Sequence, residues 1–237
     1  MVQQDVVKDN IFDFIIEMAF NDTTMRNAFP NPFKEKSGEA QKDERDAFNS
    51  LKDELKESIK QPIKDFFYKL LSEEDLKDND IFVWECIKNV LEKADEVCNK
   101  HKWQAKIKGE KKLQFTFGHA QKVVNMSAKY LFISCYAEPN LRDRFQFCHC
   151  PMDKYMIKGV LDGREKSESV LTNSTAWSGL KLKKTNKKDD IEEFIKKAVP
   201  DEYIQFQGIV DELRGEYIPL EYDYIYWPTF AEKFGEE

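Results

Sequence analysis

Gly118-His119-Ala120-Gln121-Lys122-Val123-Val124-Asn125-Met126-Ser127-Ala128-Lys129-Tyr130-Leu131 is the stretch that decides how this chain folds. Val123, Val124, Met126, Ala128, Tyr130, Leu131 and Ile133 cover nearly every side of a helix running from residue 118 to residue 135. A helix that is apolar all round belongs in the middle of a fold. Its polar members therefore stand out: Lys122, Asn125 and Lys129 succeed one another by about one helical turn and share a face. Lys122 sits in the first turns, where unpaired backbone N–H groups carry positive partial charge and suit a phosphate guest.

The next informative run is Cys148-His149-Cys150-Pro151-Met152-Asp153. Asp153 reads as the N-cap or first residue of a helix ending near Gly163. Lysine attacks a sugar or carbonyl carbon as an amine, and a nearby carboxylate manages the protons and charge of that attack. The function turns on whether Lys122 and Asp153 meet.

Around these runs the pattern is helical. Apolar residues recur at helical spacing over 6–20 (Val6, Val7, Ile11, Phe14, Ile15, Met18, Ala19) and over 81–97. Residues 34–60 carry only a thin stripe of Phe48, Leu51, Leu55 and Ile59, Pro62 reads as a helix opening, and Ser72-Glu73-Glu74-Asp75 as the start of another. Residues 104–117 alternate as a short β-hairpin would. Residues 162–190 form a polar region around Trp177, two final helices follow over 189–199 and 201–214, and residues 217–227 form a short aromatic segment. The expected fold is all-α, with at most that hairpin, in a single helical domain over residues 1–237. If two lobes exist, they fall at roughly 1–100 and 101–237, with the site at their junction.

The 237 residues suffice for a real core. Thirty-seven Lys+Arg against 44 Asp+Glu give a net charge of −7, which excludes a uniformly basic nucleic-acid binder and leaves only local basic surface. One such surface is legible: Lys100, Lys102, Lys106, Lys108, Lys111 and Lys112, with Glu110 the only acid, lead into the Gly118 run. Five cysteines, odd in number and set in apolar runs, point to reduced thiols and a cytoplasmic location. No membrane-spanning run appears. Cys-His-Cys in direct succession lacks the spacing that lets two ligands converge on zinc, so no metal site is expected, and no cofactor motif is present.

The order Gly-x-x-x-Lys-x-x-Asn leading a buried helix, followed by His-Cys-Pro-Met-Asp leading the next, resembles the helix-hairpin-helix superfamily of DNA glycosylases. The likeness covers residues 117–160. The usual Leu-Pro-Gly-x-Gly hairpin is reduced to Phe117 and Gly118, and the Lys122–Asp153 separation is long. Both traits are similar to the divergent branch of archaeal 8-oxoguanine DNA glycosylases. The chain also resembles bacterial proteins sharing Ala-Gln-Lys-x-x-Asn and His-Cys-Pro-x-Asp runs, a likeness that brings no function.

The glycosylase resemblance implies a helix-hairpin-helix bundle that excises a damaged or modified base from DNA through a flipped nucleotide, with or without lyase activity at the abasic site; a monomer is expected. Lys122 would be the nucleophile and Asp153 its partner. Gly118, His119, Gln121, Lys106, Lys108, Lys111 and Lys112 would hold phosphates. Asn125, Phe117, Phe147, His149 and Trp177 are the candidates for the base pocket. The alternative is a non-enzymatic helical protein, binding a nucleotide or another protein, in the conflict between bacteria and phages.

Overall fold

The computed structural model describes residues 2–24, 39–72, 80–100, 114–136, 138–164, 170–183 and 190–235. Its α-helices in chain order are α1 (Val2–Thr23), α2 (Glu39–Leu71), α3 (Ile81–Lys100), α4 (Phe117–Ser134), α5 (Lys154–Leu161), α6 (Ile191–Ala198), α7 (Asp201–Leu213) and α8 (Pro219–Phe234). Short 3-10 turns occur at Pro139–Phe145 and Trp177–Gly179. No strand is present among the described residues. The chain is all-α over those residues. Most of the expected hairpin, residues 104–113, lies outside them, as do Lys106, Lys108, Lys111 and Lys112.

Helix α4 is the central element: α1, α2, α3 and α8 all pack against it. Every residue from Phe117 to Asn125 is buried, as the all-round apolar pattern requires. The core is continuous from Phe12 in α1 to Tyr222 in α8. Among the described residues no helix is long and apolar enough to cross a membrane.

Three elements differ from the sequence expectation. Pro62 does not open a helix; it lies inside α2, which runs unbroken for 33 residues. Leu51, Leu55, Ile59, Ile63, Phe66, Phe67 and Leu70 form one buried stripe across it. Packing of that stripe on α3 outweighs the lost N–H. The aromatic segment near the C-terminus is a full helix, α8, with Pro219 in its first turn and Glu221 Oε2 accepting from Ile218 N–H at 3.1 Å. In α1 the buried apolar residues are Phe12, Ile15, Ile16, Ala19 and Phe20, while Val7, Ile11, Phe14 and Met18 are exposed. That helix is apolar on several sides, so spacing alone cannot choose its inner face.

Candidate functional site

Thr116, the N-cap, starts α4: His119 N–H donates to its Oγ1 at 3.3 Å, and Thr116 N–H donates to His119 Nδ1 at 3.1 Å. Two turns of α4 then carry Lys122 to the edge of the buried region. Asp153 reaches the same place as the N-cap of α5, its Oδ1 accepting from Tyr155 N–H at 2.9 Å and Met156 N–H at 3.0 Å.

The second oxygen of Asp153 is turned to Lys122, with Nζ to Oδ2 at 3.3 Å. The two side chains are only 11% and 12% exposed, so this pair is shielded from water and from salt. Two tryptophans complete the surroundings. Lys122 Nζ lies 4.7 Å from the ring centroid of Trp177, and Trp227 Nε1 donates to Asp153 Oδ2 at 2.9 Å. Both indoles are half-buried, so each also presents a surface to an incoming group.

A second buried ion pair stands beside the first. Lys129, further along the same face of α4, pairs with Asp223 of α8. Asp223 is 1% exposed, and burial pushes its carboxyl up to about 6 against the opposing pull of Lys129. Trp227 follows Asp223 by one turn of α8, so the Lys129 pair seats the helix that delivers the Trp227 donor.

Compared with protein-family models, curated proteins and solved structures, the chain matches none.

Apart from Trp177, the remaining expected site residues among those described divide into three groups. Gly118, His119 and Gln121 have no freedom to hold a phosphate. Gly118 N–H donates to Leu180 O at 3.1 Å, His119 is 2% exposed, and Gln121 is fully buried with protein partners. The segment around Trp177–Gly179 lies over the start of α4 so closely that a Cβ on Gly118 would come within 1.7 Å of Trp177 O. The orphan donors that sequence assigns to a ligand are thus used by the chain itself.

Phe117 and Asn125 belong to the core. Phe117 packs edge-on against Tyr203 at 5.1 Å, and Asn125 Nδ2 donates to Tyr203 Oη at 2.8 Å and to Gln121 Oε1 at 3.1 Å. Phe147 and His149 line a different place, a cleft of about 630 Å3 whose lining also includes Trp84 and Arg142 but neither Lys122 nor Asp153. There His149 Nε2 lies 2.8 Å from Asp80 Oδ2 and its Nδ1 3.0 Å from Tyr203 Oη. Burial alone would raise the Asp80 carboxyl, but the bonds from His149 and Trp84 outweigh it and hold it low. Of the base-pocket candidates, Trp177 alone touches the Lys122–Asp153 pair.

All five cysteines are free thiols, and burial pushes those of Cys86, Cys148 and Cys150 up, away from nucleophilic or metal-binding form. Among the described residues no group of three or more His, Cys, Asp or Glu is arranged to hold a metal. Of the basic stretch, Lys100 is described, and it pairs with Glu54 at 2.6 Å.

Proposed function

We propose that Lys122 and Asp153 form the reacting pair of a DNA glycosylase with lyase activity that removes a damaged or modified base. One observation carries this reading: an amine and a carboxylate from separate helices lie 3.3 Å apart with two tryptophans on them. Asp153 accepts a proton from the Lys122 ammonium. The freed amine attacks C1′ as the C1′–N bond breaks, and the base departs with the bonding electrons and takes the proton held on Asp153. As the sugar ring opens, a proton passes from Nζ to O4′ and leaves an iminium on Nζ; the Asp153 carboxylate then takes the C2′ proton, and the electrons of that C–H bond expel the 3′ phosphate. Trp177 and Trp227 offer aromatic faces for a flipped nucleotide.

The test is borohydride trapping on an oligonucleotide with an abasic site. A covalent adduct with the native protein, absent in Lys122→Gln, supports the reading. No adduct, together with no base release from duplexes carrying a panel of modified bases, overturns it.

A second reading, a non-enzymatic helical binding protein, is favoured by the closure of the pair: both charges are already satisfied within the protein. The same oligonucleotides bound without adduct or base release point to that reading. A small phosphate ligand at the start of α4 loses support because Gly118 N–H is bonded to Leu180 O.

A further inference from the structure

Cys150 and Met152 are each gripped on both backbone groups by one glutamine side chain. Gln207 of α7 donates from Nε2 to Cys150 O at 2.8 Å, and its Oε1 accepts from Cys150 N–H at 3.1 Å. Gln121 of α4 donates from Nε2 to Met152 O at 3.1 Å, and its Oε1 accepts from Met152 N–H at 3.3 Å. A primary amide has one donor side and one acceptor side, so it can satisfy both polar groups of a residue that lacks a strand neighbour. Pro151 between the two has no N–H to place. Cys150 and Met152 are fully buried, so these four bonds are what replaces water for that stretch of backbone.

The next residue is Asp153. Its carboxylate reaches Lys122 from a backbone whose position is set one and three residues earlier. A slip of the segment moves Oδ2 away from Lys122 Nζ and from Trp227 Nε1 together, because both contacts use that one oxygen. The geometry points to Gln121 and Gln207 as a paired clamp: positioning residues that fix Cys150–Met152 and, through it, the Lys122–Asp153 contact. This rests on the reading of that contact as the reacting pair. The two glutamines are tied together through α7: Tyr203, one turn before Gln207, bonds Asn125 at 2.8 Å while Asn125 bonds Gln121. Gln207 lines the cleft beside His149, so α7 joins the cleft to the segment that ends in Asp153.

Gln207→Met in the full chain, labelled with 15N-tryptophan, tests the clamp, with the Trp227 indole N–H signal assigned through Trp227→Phe. The clamp predicts three changes together. Hydrogen exchange at Cys150 N–H accelerates, the Trp227 indole signal moves, and the rate of borohydride-trapped adduct at saturating abasic DNA falls about tenfold or more with DNA affinity unchanged. Faster exchange at Cys150 with the Trp227 signal at its native position overturns the proposal, whatever happens to melting temperature. If native protein forms no adduct, the glycosylase reading falls, and the Trp227 signal still decides the clamp. Should Gln207→Met fail to fold, Gln207→Asn, which keeps the amide on a shorter arm, is judged by the same signal.

Discussion

Trp227 Nε1 and Lys122 Nζ share one acceptor, Asp153 Oδ2, at 2.9 Å and 3.3 Å. The carboxylate divides its work: Oδ1 caps α5 and Oδ2 faces the amine. This division makes Asp153 separable into a structural part and a chemical part.

Asp153→Asn keeps a good N-cap, while Asp153→Ala removes it at a further cost of about 1 kcal/mol. The expected result is that Asn is the more stable of the two in urea unfolding and that both fail to form adduct. Adduct formation by Asp153→Asn at the native rate contradicts a role for the carboxylate.

Trp227→Phe keeps the aromatic packing on Tyr155, seen at 5.9 Å between rings, and removes only the N–H donor. The loss of a partly exposed hydrogen bond to a charged group is expected to cost about 1 kcal/mol, read as a lower urea midpoint at constant slope. An unchanged midpoint shows that the bond contributes nothing net.

Gly118→Ala places a methyl group 1.7 Å from Trp177 O, a backbone atom that cannot turn aside. The segment carrying Trp177 must move, so the indole leaves Lys122 and stability falls by about 2 kcal/mol or more. Tryptophan fluorescence and thermal unfolding read the two effects. Native fluorescence and melting in this variant would show that the contact is looser than described.

Asp223 gives a pH signature. Its folded carboxyl, raised to about 6, binds a proton that the unfolded chain releases nearer the ordinary value of 3.8. Between those two values the folded state holds more protons, so this group's contribution to stability falls as pH rises from about 4 to about 6. Asp80 and Glu221, held low by His149 and Trp84 and by Arg142, act in the opposite sense as pH falls below their ordinary values of 3.8 and 4.5, and both are retained in Asp223→Asn/Lys129→Met. The difference in unfolding free energy between native protein and Asp223→Asn/Lys129→Met should therefore change across pH 4 to 6 and be flat from 7 to 8. A flat difference throughout sinks the assignment.

Much of this was legible in the sequence. The apolar coverage of residues 118–135 identified the buried central helix, and Lys122 and Asp153, 31 positions apart, do lie together. What stayed hidden depends on contacts between distant segments. The start of α4 looked open because nothing in its sequence reports that residues 177–180 cover it. Pro62 misled because a local helix-breaking rule yields to a stripe packed on α3. Trp227 lies 74 positions from Asp153, and Gln207 lies 57 from Cys150, separations at which periodicity is silent. An aromatic run over 217–227 was the one visible signal for Trp227.

The most direct measurement is mass mapping of the adduct after borohydride reduction on abasic DNA, followed by nuclease and protease digestion. The account predicts a deoxyribose-derived mass on the peptide containing Lys122, with no such mass on any other lysine. An adduct on a different lysine, or on the N-terminal amine with Lys122 unmodified, contradicts it.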